Sequence, residues 1–198
     1  MREKGFDTLV IACPANIHYL TGFDGWGYYM PNFVVLRQDA EEEAHPVLIA
    51  RGMDAGAGAF STHLPLNRVF GYADELIDSE HVHPMSVVCD LLLQQGWSKG
   101  TVALEMCSDY FTARHLTIAQ EELGPAKLVN DNRVVNWVRM IKSEAELDKI
   151  REAAVIVDSA IQTAIDTLAK DPFSRGCDLI AEVPRAEPLS PFEPTWRL

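Results

Sequence analysis

HPMSVVCDLLLQQGWSKGTVALEM, residues 83–106, sets a helix, a stop and a strand one after another. Pro84 falls in the first turn, where a helix tolerates proline because the missing N–H would have no intrahelical partner. The stretch to about Gln95 reads as helix, and Gly96 closes it. TVALEM, residues 101–106, is short and apolar and reads as a buried strand. The same grammar extends outward. FDTLVIAC (6–13), FVVLR (33–37), PVLIAR (46–51), RVFGY (68–72) and AKLV (126–129) read as further strands, the first ended by Pro14. A second helix is expected from Asp109 to about Leu123, a solvated hairpin turn over the acidic residues 39–43, and a small-residue turn at Gly56-Ala-Gly58. Strands alternating with helices predict an α/β fold, and early strands joined by short turns make its helix-covered β-sheet mixed.

After Val129 the pattern changes. Ser143-Glu-Ala-Glu146 fits the S-x-x-E capping box, whose two side chains satisfy orphaned backbone donors at a helix start. Leu147, Ile150, Ala154, Val157, Ile161, Ile165 and Leu168 then repeat at three- and four-residue spacing, one apolar stripe along a long helix. Burying each larger side chain of such a stripe contributes roughly 1.5 to 3 kcal/mol, so the helix expects a partner surface. From Asp171 onward Pro172, Pro184, Pro188, Pro191 and Pro194 break every candidate element except a short helical stretch at 177–183, and a disordered tail is expected. The expected organisation is a domain over 1–137, a helix over 138–170 and the tail over 171–198.

The balance of charge, −12 over 198 residues, repels nucleic-acid backbones and anionic lipid, and no Lys/Arg cluster interrupts it, so neither is expected as a partner. No apolar run approaches the roughly 20 residues of a membrane helix, and the N-terminus lacks the apolar region of a signal peptide, which points to the cytoplasm. Cys13, Cys89, Cys107 and Cys177 lie far apart, with no C-x-x-C pair, and are expected to be reduced thiols.

Between the first two strands, residues 19–29 crowd five aromatics beside three glycines. Asp24, Trp26, Tyr28 and Tyr29 are the candidate binding residues: aromatic faces for a flat or cationic ligand, with a carboxylate as counter-charge. The alternative is that these rings pack a hairpin edge. His81-Val82-His83, after Asp78 and Glu80, raises a metal reading, but its spacing matches no ligand motif; no metal and no cofactor are expected, and the histidines are read as structural or exposed. No nucleophile elbow, phosphate loop or dinucleotide fingerprint occurs, so no catalytic residue is assigned.

PANIHYLTGFDG at 14–25 and VNWVRMIKSEAELDKIREAAVIVDSAI at 135–161 resemble the pita-bread hydrolases of the creatinase and Xaa-Pro peptidase family. Asp24-Gly-Trp-Gly-Tyr-Tyr, Met53-Asp-Ala-Gly, His83-Pro-Met and Val135-Asn-Trp-Val are most similar to its ectoine-hydrolase branch. The resemblance implies a creatinase/prolidase-type N-terminal domain followed by the first long helix of a pita-bread catalytic domain that this sequence does not contain. It implies homodimers, or a dimer with a full-length relative, in which the loop after Y-L-T-G approaches the neighbouring active site. Trp26, Tyr28 and Tyr29 would then enclose an ectoine-like small molecule, and the chain alone would be inactive. A fragment of Xaa-Pro dipeptidase type, a non-catalytic interaction module pairing through the 147–168 stripe, and a stand-alone small-molecule binder are the competing readings.

Overall fold

Alternating strand and helix carry the chain across one sheet, in a computed structural model that describes residues 1–25, 27, 29–38 and 46–186. The chain divides into two units, Met1–Arg139 and Met140–Leu198. In the first, β1 (Thr8–Ile11), β2 (Phe33–Arg37), β3 (Val47–Arg51), β4 (Val69–Tyr72), β5 (Thr101–Leu104) and β6 (Lys127–Asn130) form a six-stranded sheet in the order β4-β3-β2-β1-β5-β6. β2 runs against β1 and β3, while β1–β5, β5–β6 and β3–β4 pair in parallel, so the sheet is mixed as expected. All six strands lie where the sequence places them.

Between the strands run α1 (Pro14–Thr21), α2 (Gly52–Ser61), α3 (Pro84–Gln94) and α4 (Ala113–Leu123), and α5 (Val134–Met140) follows β6. Val10, Phe33, Val35 and Leu104 are buried on one face of the sheet with Met85, Val88 and Leu92 of α3 and Ala119 of α4. Leu9, Ile11, Val34 and Leu48 are buried on the other with Ile17 of α1, Ala55 of α2 and Val135 of α5. Apolar side chains on both faces explain why these strands read as continuous hydrophobic runs.

Three local readings change. Pro14 ends β1 and also opens α1 at its first position, with Cys13 as the N-cap. Gly56-Ala-Gly58 is not a turn but the interior of α2, where Gly58 leaves room for the Phe23 ring: a Cβ there would stand 2.4 Å from Phe23 Cε2. α4 starts at Ala113, later than Asp109, because Thr112 and His115 close a capping box and fix the helix start.

In the second unit α6 (Glu144–Lys170) begins on the expected box, with Ser143 N–H donating to Glu146 Oε2 at 2.8 Å and Glu146 N–H to Ser143 Oγ at 3.3 Å. α7 (Gly176–Ala186) packs on α6, so the expected disorder is corrected over this part of the tail. The helical stretch allowed at 177–183 extends alongside α6, and helices of this length gain most of their stability from tertiary packing. Residues 187–198 lie outside the described residues.

Candidate functional site

Gly22, at φ +74°, ends α1 and releases the chain into the aromatic segment. Phe23 drops into the core, 3% exposed, between Gly25 and Gly58, and Met30 and Asn32 are buried where the segment rejoins the sheet. Asp24 is exposed and Tyr29 is 65% exposed. Of the four candidate residues these two are on the surface, and Trp26 and Tyr28 lie outside the described residues. Tyr19, counted with the aromatics, is taken up elsewhere: the Arg139 guanidinium lies over its ring at 5.7 Å from the centroid.

Beneath this segment, where β3 and β4 end side by side, is a polar group that the sequence reading passed over. Arg51 and Tyr72 are register partners at the last positions of the two strands. Arg51 donates from Nε and Nη2 to both oxygens of Asp74, at 2.7 and 2.6 Å, and its Nη1 meets the Met30 sulfur at 3.2 Å. The paired Asp74 holds the guanidinium charged well above the ordinary arginine range, and Arg51 in turn holds the Asp74 carboxyl below its own. Tyr72 is 2% exposed, and burial first, then the Asp54 charge, keeps its hydroxyl protonated. Asn32 Oδ1, Asp54 Oδ2 and the Tyr72 hydroxyl are buried without a hydrogen-bond partner among the described residues. Such orphans are rare and costly, by about 1 to 3 kcal/mol each, and a water at each atom would complete its bonding. Of these, Asp54 and Tyr72 lie close enough to Arg51 for their charges to act on one another. The signal for Arg51 and Tyr72 was available, because ligands of open α/β sheets gather at the carboxyl ends of strands.

A second polar knot lies at the carboxyl end of β5. Glu105 is 2% exposed, yet its carboxylate accepts from Ala12 N–H and Cys13 N–H, each at 2.7 Å, and from the Asn16 amide at 2.5 Å. Burial raises its pKa and these donors oppose the rise. Asn16 also donates to Asn136 Oδ1 at 2.9 Å and accepts from Arg139 Nη1 at 2.7 Å. Glu105 thereby ties the start of α1, the root of the aromatic segment, to α5.

Two of the histidines are structural, and His18, His63 and His81 are exposed. His83 caps α3, its Nδ1 accepting from Met85 N–H at 3.0 Å, and His115 Nδ1 accepts from Thr112 N–H at 2.9 Å. Among the described residues no group of three or more His, Cys, Asp or Glu could hold a metal ion. Cys13, Cys89, Cys107 and Cys177 are free, and burial pushes the Cys89 thiol up to about 12. Among the described residues no helix is long and apolar enough to cross a membrane.

Comparison with known proteins agrees with this architecture. Residues 1–141 match the family model described as the creatinase/prolidase N-terminal domain. The chain is 34% identical over 187 residues to an uncharacterized hydrolase/peptidase, y4tM, of Sinorhizobium fredii, covering 94% of this chain and 46% of that protein. It is 35% identical over 158 residues to the ectoine hydrolase of Halomonas elongata, covering 79% of this chain and 39% of that one. It thus spans less than half the length of these relatives. A dipeptidase structure from Pyrococcus horikoshii superposes with a TM-score of 0.61 at 20% identity, covering 83% of this chain and 41% of that one, a likeness of fold. Strand order, helix placement and the matched residues together make this chain a member of the creatinase/prolidase N-terminal domain family.

Proposed function

We propose that this chain serves a hydrolase of C–N bonds, its residues 22–32 enclosing a small zwitterionic cyclic amidine of the ectoine kind. The observation that carries the reading is that this segment reaches the Arg51–Asp74 group, the Met30 sulfur lying 3.2 Å from Arg51 Nη1 and Tyr29 close enough to act on the guanidinium charge. The 35% identity to an ectoine hydrolase supports the choice of ligand. In this reading Arg51 Nη1 attracts the ligand carboxylate. Asp24 with the rings of Trp26, Tyr28 and Tyr29 faces the delocalised cation, at about 0.5 to 2 kcal/mol per favourable cation–π contact.

Amidine hydrolysis further requires a general base for water and an acid for the leaving ring nitrogen, both within hydrogen-bond reach of the reacting carbon. We assign neither to residues 1–198, so these residues by themselves are expected to bind without turnover, and the assembly proposed for them is a cytoplasmic homodimer or a dimer with a full-length relative. Titrating the chain with ectoine while recording tryptophan fluorescence tests the binding step. A saturable change that disappears in Trp26→Ala is expected, and a flat titration sinks the reading. A response to glycyl-proline in place of ectoine moves the assignment to the Xaa-Pro dipeptidase type. Light scattering on the purified chain, alone and mixed with a full-length relative, tests the dimer.

A further inference from the structure

At the carboxyl ends of β1 and β5 the chain departs in opposite directions, through α1 to β2 on one side and through α4 to β6 on the other. Such a divergence opens a crevice, the usual place for a ligand in an open α/β sheet. Here it holds a cavity of about 150 Å³ lined by Cys13, Glu105, Cys107, Ser108, Arg133 and Asn136, together with Asp109 and Tyr110. Cavities of about this size take molecules of roughly six heavy atoms.

One wall is built at a conformational cost. Asn132 and Arg133 follow one another at φ +54° and +59°. Asparagine visits this left-handed region readily, whereas arginine does so rarely. Asp131, fully buried, holds the turn by accepting from Arg133 N–H at 3.0 Å and Val134 N–H at 3.3 Å. The strained position puts Arg133 on the crevice wall, where its side chain makes no hydrogen bond among the described residues and its charge also acts on the Asp131 carboxyl. Backbone strain kept in this way gathers where function over-rides local preference.

The remaining lining is rich in donors. Asn136 Oδ1 is occupied by Asn16, and the N–H groups of the Asn136 amide have no acceptor among the described residues. Ser108 Oγ accepts from Tyr110 N–H at 3.2 Å and keeps its own proton to donate. The Glu105 carboxylate is filled by the three donors already described. We propose that this crevice is a binding site for a small monocarboxylate, its oxygens held by Arg133 and the Asn136 amide. Asp109 on the same wall disfavours a doubly charged anion such as phosphate by like-charge repulsion, and Glu105 adds to this when ionised.

The test uses the full 198-residue chain, titrated with sodium propionate and separately with inorganic phosphate at constant ionic strength. Thermal midpoint and backbone amide shifts are recorded. Propionate is expected to raise the midpoint saturably and to move the amides of Ser108, Arg133 and Asn136, with no matching effect of phosphate. Arg133→Gly separates binding from folding, because glycine is at home at this φ. Its midpoint without ligand should equal or exceed the parent's, while propionate affinity falls at least tenfold. Asn132→Gly should keep the affinity. The proposal is overturned if propionate has no effect, if phosphate does as well, if Arg133→Gly binds like the parent, or if that variant is less stable than the parent.

Discussion

An imidazole that gives its lone pair to a helix cap cannot hold a proton on the same nitrogen, and this protein uses two such caps side by side. The rings of His83 and His115 lie 4.9 Å apart, and burial lowers both pKa values to about 4 from the ordinary 6.5, helped by the Arg114 charge at His83 and by the His83 and then the Arg114 charge at His115. The unfolded chain therefore binds protons first as pH drops. The stabilisation is complete above about 6.5 and is lost as pH falls toward 4, on the order of 1 to 3 kcal/mol for the coupled pair. Urea unfolding at pH 7 and pH 5 should show this loss, and His83→Asn, which keeps a cap acceptor without titrating, should reduce it. The Glu105 knot makes a separate prediction. In Glu105→Gln the amide nitrogen must face a backbone or Asn16 donor, so stability at pH 7 should drop by about 1 to 3 kcal/mol, read from the urea midpoint. Neither role was legible in order of residues: His83 reads as half of a possible ligand pair, and Glu105 as the polar end of a strand. Their partners lie on other elements, Asn16 being 89 positions from Glu105.

Among the elements, α2 was hidden by its own composition, since glycines at 52, 56 and 58 argue against a helix on propensity. Tertiary context overrides that preference, and the glycines differ in what they do. A Cβ at Gly56 meets nothing within 4 Å, whereas one at Gly58 collides with Phe23. Gly56→Ala should stabilise the protein by up to about 1 kcal/mol through helix propensity. Gly58→Ala should destabilise it by about 1 to 3 kcal/mol through overpacking and shift the ring resonances of Phe23, checked by thermal unfolding and NMR. α6 is the opposite case. Its start is written locally in Ser143 and Glu146, and Ser143→Ala should remove about 1 kcal/mol of helix stability, visible as fraying of the first turn in amide exchange. The limits of α4 were less legible because a His at the third helical position closes its capping box where Glu or Gln is the usual signature.

For the molecule as a whole, the apolar stripe of α6 has the largest consequence. Ile150, Val157, Ile161, Ile165 and Leu168 remain 41 to 54% exposed. A large exposed apolar patch is a common feature of interaction sites, and the dimer proposed above would cover this one. Replacing Ile161 and Ile165 by Lys should lower any self-association of the chain, measured by light scattering, without shifting the unfolding of Met1–Arg139. The order of residues alone determined the six strands, the mixed α/β class, the capped long helix and the family, because burial on both faces, turn chemistry and an S-x-x-E box are local or periodic signals. Only the tertiary structure decided that Arg51 and Tyr72 end adjacent strands beneath the aromatic segment, that Glu105 fastens α1 to α5, and that Arg133 reaches the crevice between β1 and β5. These groups are brought together by strand order, β4-β3-β2-β1-β5-β6, and no spacing along the chain encodes which strand ends will be neighbours.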